Sequence, residues 1–480
     1  MHKSFTTNKR RLAVLVLAAM APGAYADDAS PDRIKQLEAM MQQMQQQRAE
    51  QDKQMQVMAE ELKAMQQQMA QGKEERVKEK GKSEGSPVYA AFKDGLTFED
   101  GSGNWKLQIN GRVQADYRTF DPSEWKDDVF SIRRARFGGT FSFLKDFAVR
   151  VEGEYANDNT GAKSTTALTY AYLDYNRWKG AKIRAGQFKP FFGLERAYST
   201  NFIDFAELSL ATNNGSIFTS TYDRGVMVHG DPLPWLNYNA YVVNGTGQNN
   251  DDKNDGKDVG MRVNANFASL AEIKKAVIHV GASASKGDIG KTSLTQSTEG
   301  NGTQFFNVTG LDERADRDRW GVESALAYGP VKLQAEYIDA NFEGVKSGTA
   351  FDRDITAWYA DINWLVTGES WADAYKSGVF GRVKPKQNFD NKSGWGAFEL
   401  GLRYSNFDGS EFRSLLATPA GSTASEAEAW TLGAKWILNP NARLVLNYIQ
   451  TEFDEPAELT INGKTDDREK TILLRAQYDF

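Results

Sequence analysis

From Asn104 to the C-terminus the chain repeats one pattern, short runs in which apolar and polar side chains alternate, separated by turns. The final run shows it best. In Thr471–Phe480, the side chains of Ile472, Leu474, Ala476, Tyr478 and Phe480 share one face, while Arg475, Gln477 and Asp479 share the other. A period of two marks a strand whose two faces meet different surroundings. Sixteen strands are predicted: 104–119, 129–143, 147–157, 168–178, 181–193, 224–230, 236–246, 258–267, 275–286, 317–328, 331–343, 354–366, 394–407, 427–438, 442–454 and 468–480. Their connections differ in length. Leu144-Lys145-Asp146, Lys179-Gly180, Asp231-Pro-Leu-Pro234, Gly329-Pro330 and Asn439-Pro440-Asn441 are tight turns, whereas 287–316 and 408–426 are long polar loops. An even strand count, with turns on one rim and loops on the other, predicts an all-β fold: a sixteen-stranded antiparallel transmembrane β-barrel, apolar toward lipid and polar toward a wet lumen. A secreted β-sandwich would also alternate, but it would not set tight turns against long loops so regularly. The connection 367–393 breaks the rule, being long yet on the turn side.

Residues 31–71 follow another period. Ile34, Leu37, Met41, Met44, Met55, Met58, Leu62, Met65 and Met69 keep heptad spacing, with Arg48 and Gln51 in the middle core positions. This predicts an N-terminal α-helical coiled coil. Adaptable methionines and polar core positions leave its oligomer number open, and a single solvated helix or a Gln-rich disordered tract is the alternative. Ahead of it, Lys3, Lys9, Arg10 and Arg11 precede the apolar run Leu12–Ala21 and the A-x-A site Ala24-Tyr25-Ala26, which reads as a secretory signal. That run is far shorter than the ~20 residues needed to span a bilayer. The expected organisation is a signal peptide over 1–26, a coiled-coil stalk over 27–71, a charged linker over 72–93 and the barrel over 94–480.

Composition narrows the picture. Mean hydropathy is −0.57, which would suggest a soluble protein, but alternating strands average their apolar half away. The absence of cysteine excludes a disulfide framework and Cys-ligated metal. Of the three histidines, His2 leaves with the signal; His229 and His279 have neither a serine partner motif nor metal-ligand spacing. Neither enzymatic activity nor a metal or other cofactor is expected. Removing 1–26 takes four basic and no acidic residues, moving the net charge from −6 to −10. Bulk charge therefore attracts neither nucleic acid nor small anions, and any anion preference must come from where the basic residues sit.

Several motifs carry a family resemblance. They are Asp94-Gly-Leu-Thr-Phe-Glu-Asp, Leu107-Gln-Ile-Asn-Gly-Arg-Val-Gln-Ala-Asp-Tyr117, Ile132-Arg-Arg-Ala-Arg136 and Gly186-Gln-Phe-Lys-Pro-Phe-Phe-Gly-Leu-Glu-Arg196. Thr367-Gly-Glu-Ser, Gly381-Arg-Val-Lys-Pro385 and the last strand complete the set. From about residue 90 onward the chain resembles the phosphate-selective porin O and P family. The resemblance implies a homotrimer of sixteen-stranded barrels conducting phosphate-type anions, with the loop after strand five folded into the lumen. It also accounts for the long segment 367–393. The heptad stalk lies outside it.

Strand parity tests ion choice independently. A pore selects anions by replacing part of their hydration with fixed donors, and the planar fork of arginine suits phosphate oxygens. Alternation turns Lys106, Arg112 and Asp116 inward from strand one, and Arg134 and Arg136 from strand two. It also turns inward Arg150, Glu152, Glu154, Lys182, Arg184, Arg262, Glu399, Arg403, Arg475 and Asp479. Less regular strands add Arg319, Lys332, Lys435 and Arg443 against Asp174, Glu323, Glu336 and Asp361. Arg133 has lipid-side parity and is expected at the rim or beside a subunit contact. In the 194–223 loop, Lys189 and Arg196 flank the root and are the best-placed cations for a constriction. Its aromatics Tyr198, Phe202, Phe205 and Phe218 are expected to pack the loop onto the wall.

The expected function is an outer-membrane porin for passive diffusion of phosphate, pyrophosphate or polyphosphate, embedded among outer-membrane lipids with its stalk in the periplasm. A general porin whose coiled coil contacts the cell envelope is the alternative, and an outer-membrane barrel enzyme is a third. Any one inward arginine could equally be a structural partner of a facing carboxylate.

Overall fold

The alternating runs become strands because each finds its backbone hydrogen-bond partner in the next run along the chain. A computed structural model describes residues 87–480 apart from 93–94, 157–165, 214–216, 218–221, 253–254, 290–292, 417–420, 455 and 457. The expected signal peptide and coiled coil lie outside the described residues, as does Phe218. The wall consists of β1 (Trp105–Asp121), β2 (Val129–Phe143), β3 (Phe147–Ala156), β4 (Ala167–Tyr175), β5 (Lys182–Phe188), β6 (Asp223–Leu233), β7 (Leu236–Val243) and β8 (Asp258–Asn266). It continues with β9 (Ala276–Asp288), β10 (Asp316–Tyr328), β11 (Val331–Lys346), β12 (Thr349–Leu365), β13 (Ala397–Asp408), β14 (Glu426–Asn439), β15 (Ala442–Asp454) and β16 (Arg468–Asp479). Every neighbouring pair is antiparallel, and β16 pairs back with β1 from Lys470↔Asp121 to Asp479↔Arg112, closing the sixteen-stranded barrel. Phe480 and Gly111 then exchange backbone hydrogen bonds of 2.9 Å each.

Beyond Phe480 the lower part of β1 would be an open edge. The strand Leu96–Asp100 covers it, from Leu96↔Ile109 to Glu99↔Lys106, and Val88–Phe92 pairs with that strand in turn. Residues 88–92, expected in the linker, are therefore strand, because backbone groups at an uncovered edge require partners.

The outward face carries aromatic girdles of the kind that flank a lipid-facing band. On the loop side Trp320 meets Tyr337 with ring centroids 5.5 Å apart, Trp358 meets Tyr404 at 5.1 Å and Tyr404 meets Trp430 at 4.9 Å. On the turn side Phe143, Phe147, Tyr175 and Trp178 form a contact chain.

Two strand limits differ from expectation for backbone reasons. β5 ends at Phe188 rather than 193, because Pro190 has no N–H for the ladder and the chain turns into the lumen. β12 begins at Thr349 rather than 354. Ser347 and Gly348 both take positive φ, 52° and 74°, which makes the two-residue turn that lets β11 and β12 zip to their tips.

The lumen has two unlike sides. Along β10–β15, inward Ile338, Ala340, Phe342, Ile355, Ala357, Phe407, Ala427 and Phe453 pack with Leu294, Phe305, Phe306 and Val308 of the infolded loop between β9 and β10. Along β2–β5 many inward side chains stay partly exposed, including Arg136, Arg150, Tyr172 and Arg184. The long turn-side segment also folds in: Trp371 and Phe380 join a buried cluster with Leu194, Tyr198 and Ile203. Arg382 reaches Asp479 at the end of β16.

Candidate anion site

The site is built where the segment after β5 leaves the wall. Phe205 anchors it. Gly401 on β13 pairs with Gly433 on β14, both on the inward face, and a Cβ on either would meet the Phe205 ring, at 3.0 Å and 2.8 Å. Only hydrogen there leaves room for the ring, which also lies under Arg403 at 4.5 Å. The neighbouring Ala206 N–H donates to Asn447 Oδ1 at 2.7 Å. At the loop root, Glu336 accepts the N–H groups of Leu194 and Glu195, at 2.8 Å and 2.5 Å. These contacts press residues 198–200 toward β1 and β2.

There the cations gather. Lys189 Nζ donates to the Tyr198 carbonyl at 2.7 Å. Arg112 Nη1 donates to Thr200 Oγ1, and Arg134 Nη1 donates to Gln114 Oε1 at 2.8 Å. Gln114 Nε2 donates in turn to the Thr200 carbonyl at 3.1 Å. All three cations are buried, and none forms an ion pair among the described residues. The charges that act most on the Lys189 ammonium are themselves cationic: Arg196, Arg136, Arg112 and Arg134. Glu152, the acid that acts on Arg112, is taken by Arg150 at 2.7 Å. Arg134 feels Glu207, which is itself held by Arg118, Arg133 and Arg475, and buried charge with no opposite charge in contact is costly.

Most of the other sequence-selected cations have acidic partners. Arg136 bonds Glu154, with Nε to Oε2 at 2.5 Å, and Tyr222 Oη at 2.6 Å. Arg150 pairs with Glu152 and lies 4.5 Å from the Tyr170 ring. Arg184 grips Asp174 with two bonds, 2.7 Å and 2.9 Å, and lies 3.8 Å from the Tyr172 ring. Arg403 holds Glu195 and Glu299, and Arg475 holds Asp116 and Glu207. Arg262 is remote from the cluster, bonding Glu323 and the Gly378 carbonyl at the turn-side mouth. Lys182 is also apart, at the turn-side start of β5 opposite His229. His279 bridges Glu323 and Tyr375 at 2.8 Å and 2.7 Å.

Parity misplaced one residue. The β1–β2 register runs Gln114↔Arg134 and then Ala115↔Ile132, so Arg133 is the extra residue of a bulge. It does not face lipid. Its Nε donates to Glu207 Oε1 at 2.8 Å inside the barrel. Arg118 was also missed, although it shares the inward parity of Arg112 and Asp116; it donates to Glu207 at 2.8 Å. Burial alone would raise the Glu207 carboxyl, but the Arg133, Arg475 and Arg118 guanidinium groups prevail and hold it well below the usual carboxylate range.

Known proteins share this architecture. An anion-selective porin from Comamonas acidovorans has 11% sequence identity and a TM-score of 0.51, with 78% of this chain and 100% of that chain covered; this likeness shows the fold alone. The outer membrane channel DcaP of Acinetobacter baumannii has 13% identity and a TM-score of 0.49 over 80% of this chain and 99% of its own. Porin O of Pseudomonas aeruginosa is 26% identical over 432 residues, spanning 83% of this chain and 94% of that protein. The family model for phosphate-selective porin O and P matches residues 107–480, so the barrel is an outer-membrane porin and the chain belongs to the phosphate-selective porin O and P family.

Proposed function

We propose that this porin passes phosphate-type oxyanions by passive diffusion along the β2–β5 side of its lumen, and that Arg112, Arg134 and Lys189 form its selective site. The observation that carries this reading is the burial of three cations, without ion-pair partners among the described residues, where the infolded loop meets β1 and β2. An oxyanion in that place receives charge-assisted bonds from donors already held by Thr200, Gln114 and Tyr198, so little reorganisation is needed. Arg136, Arg150 and Arg184, braced by their carboxylates and tyrosines, line the approach. The working unit is a homotrimer in the outer membrane, with the 27–71 stalk in the periplasm.

Chloride current through the purified protein in planar bilayers tests this. Conductance that saturates with chloride and is blocked by low concentrations of phosphate is expected. Conductance linear in chloride and indifferent to phosphate would make the protein a general porin.

A further inference from the structure

Glu207 is gripped by three guanidinium groups. Its Oε1 accepts from Arg118 Nη2 at 2.8 Å, Arg133 Nε at 2.8 Å and Arg475 Nη2 at 2.7 Å, and Oε2 accepts from Arg133 Nη2 at 3.3 Å. Asp116 shares Arg118 and Arg475, so three guanidinium groups face two carboxylates in this cage. Without the Glu207 charge the cage would hold a surplus of two cations. It also adjoins the Arg112–Arg134–Lys189 cluster, because Arg133, which grips Glu207, directly precedes Arg134 in the chain.

The loop does not depend on this carboxylate for its position. Phe205 sits in the Gly401–Gly433 socket, Ala206 N–H bonds Asn447, and the Glu207 carbonyl accepts from Arg403 Nη2 at 3.2 Å. Glu195 and Arg403 hold a second point of the loop at 3.0 Å. A carboxylate with three guanidinium partners on an already anchored loop has a role beyond anchoring.

We propose that Glu207 is a tethered anion filling the second half of an elongated oxyanion site, and thereby the residue that sets specificity against anions with two linked phosphoryl groups. The inference rests on the anion-channel reading. The Arg112–Arg134–Lys189 cluster takes one phosphoryl group, and the chain's own carboxylate holds the adjoining place. A diphosphate must displace it or meet its charge; an orthophosphate need not.

The test compares orthophosphate and pyrophosphate as blockers of chloride current in the full-length protein and its Glu207→Gln variant. Pyrophosphate block should strengthen at least about tenfold in the variant, while orthophosphate block changes less than about threefold. Equal changes for both anions, or none, overturn the proposal. A larger chloride conductance with both blocks weakened would show Glu207 to be a loop latch and nothing more. Glu207→Ala serves if the first variant fails to fold, with the same expectation: pyrophosphate block stronger by at least about tenfold and orthophosphate block within about threefold of the parent; equal changes for both anions there also overturn the proposal. If the unaltered protein is blocked by neither anion, the channel reading itself falls.

Discussion

The β2–β5 and β10–β15 sides of the barrel share one strand pattern and use it for opposite ends. On β10–β15 the inward positions are buried almost without exception, and many of the upper ones on β11–β15 are apolar, so the infolded loop finds a hydrophobic core to pack against. On β2–β5 the inward positions include arginines, tyrosines and acids, and many remain partly exposed. The difference shows that this lumen is not lined uniformly. One side is filled by the infolded loop, and the other keeps partly exposed charges, which the proposed reading assigns to ions. Fixed donors favour an anion because they require no reordering when it arrives. In the proposed function the packed side therefore serves selectivity without touching an ion.

The sharpest way to break this comparison is to neutralise the cluster. Changing Arg112, Arg134 and Lys189 together to glutamine should weaken phosphate block by roughly a hundredfold or more, since each charge-assisted bond contributes about 1.5–3 kcal/mol. Neutralising Arg150 and Arg184 instead should cost less than about tenfold, because each is already matched by a carboxylate. Equal losses would mean that the whole wall, rather than the cluster, selects.

The packed side should respond in stability and not in selectivity. Phe306→Ala removes a fully buried ring from contact with Phe407 and Phe412 and should destabilise by about 3–5 kcal/mol, read as a lower thermal midpoint. Its reversal potential in asymmetric chloride should match the parent. A shifted potential would show that the core and the channel are not separate in function.

The smallest expected effect is that of salt. Charges lining open water are screened over roughly 8 Å at physiological ionic strength, whereas buried donors that contact the ion are screened less. Anion preference should therefore persist toward molar salt and fall clearly only when the cluster is neutralised. Preference lost by salt alone would place selectivity on the exposed arginines of β2–β5.

Much of the fold was legible in the chain. The period of two located all sixteen strands, and the last strand announced closure, because alternation is a local property each segment carries by itself. Parity also turned Arg112, Arg134, Arg403 and Arg475 inward. It failed at Arg133, where one extra residue in the β1–β2 register reverses which face a side chain meets, and nothing in Ile132-Arg-Arg-Ala-Arg136 marks that residue as the bulge.

What the sequence by itself determined was strand identity, the turn-and-loop asymmetry and, the Arg133 bulge apart, most of the charges able to face the lumen. The tertiary structure alone decided which of those charges meet an acid. Arg403 finds Glu195 and Glu299, and Arg475 finds Asp116 and Glu207, across the barrel and from loops far away in the chain. Arg112, Arg134 and Lys189 instead meet a carbonyl, a hydroxyl and an amide. Alternation assigns a face, but charge pairing depends on distances set by ring closure and by the path of the infolded loop, and no local pattern encodes these.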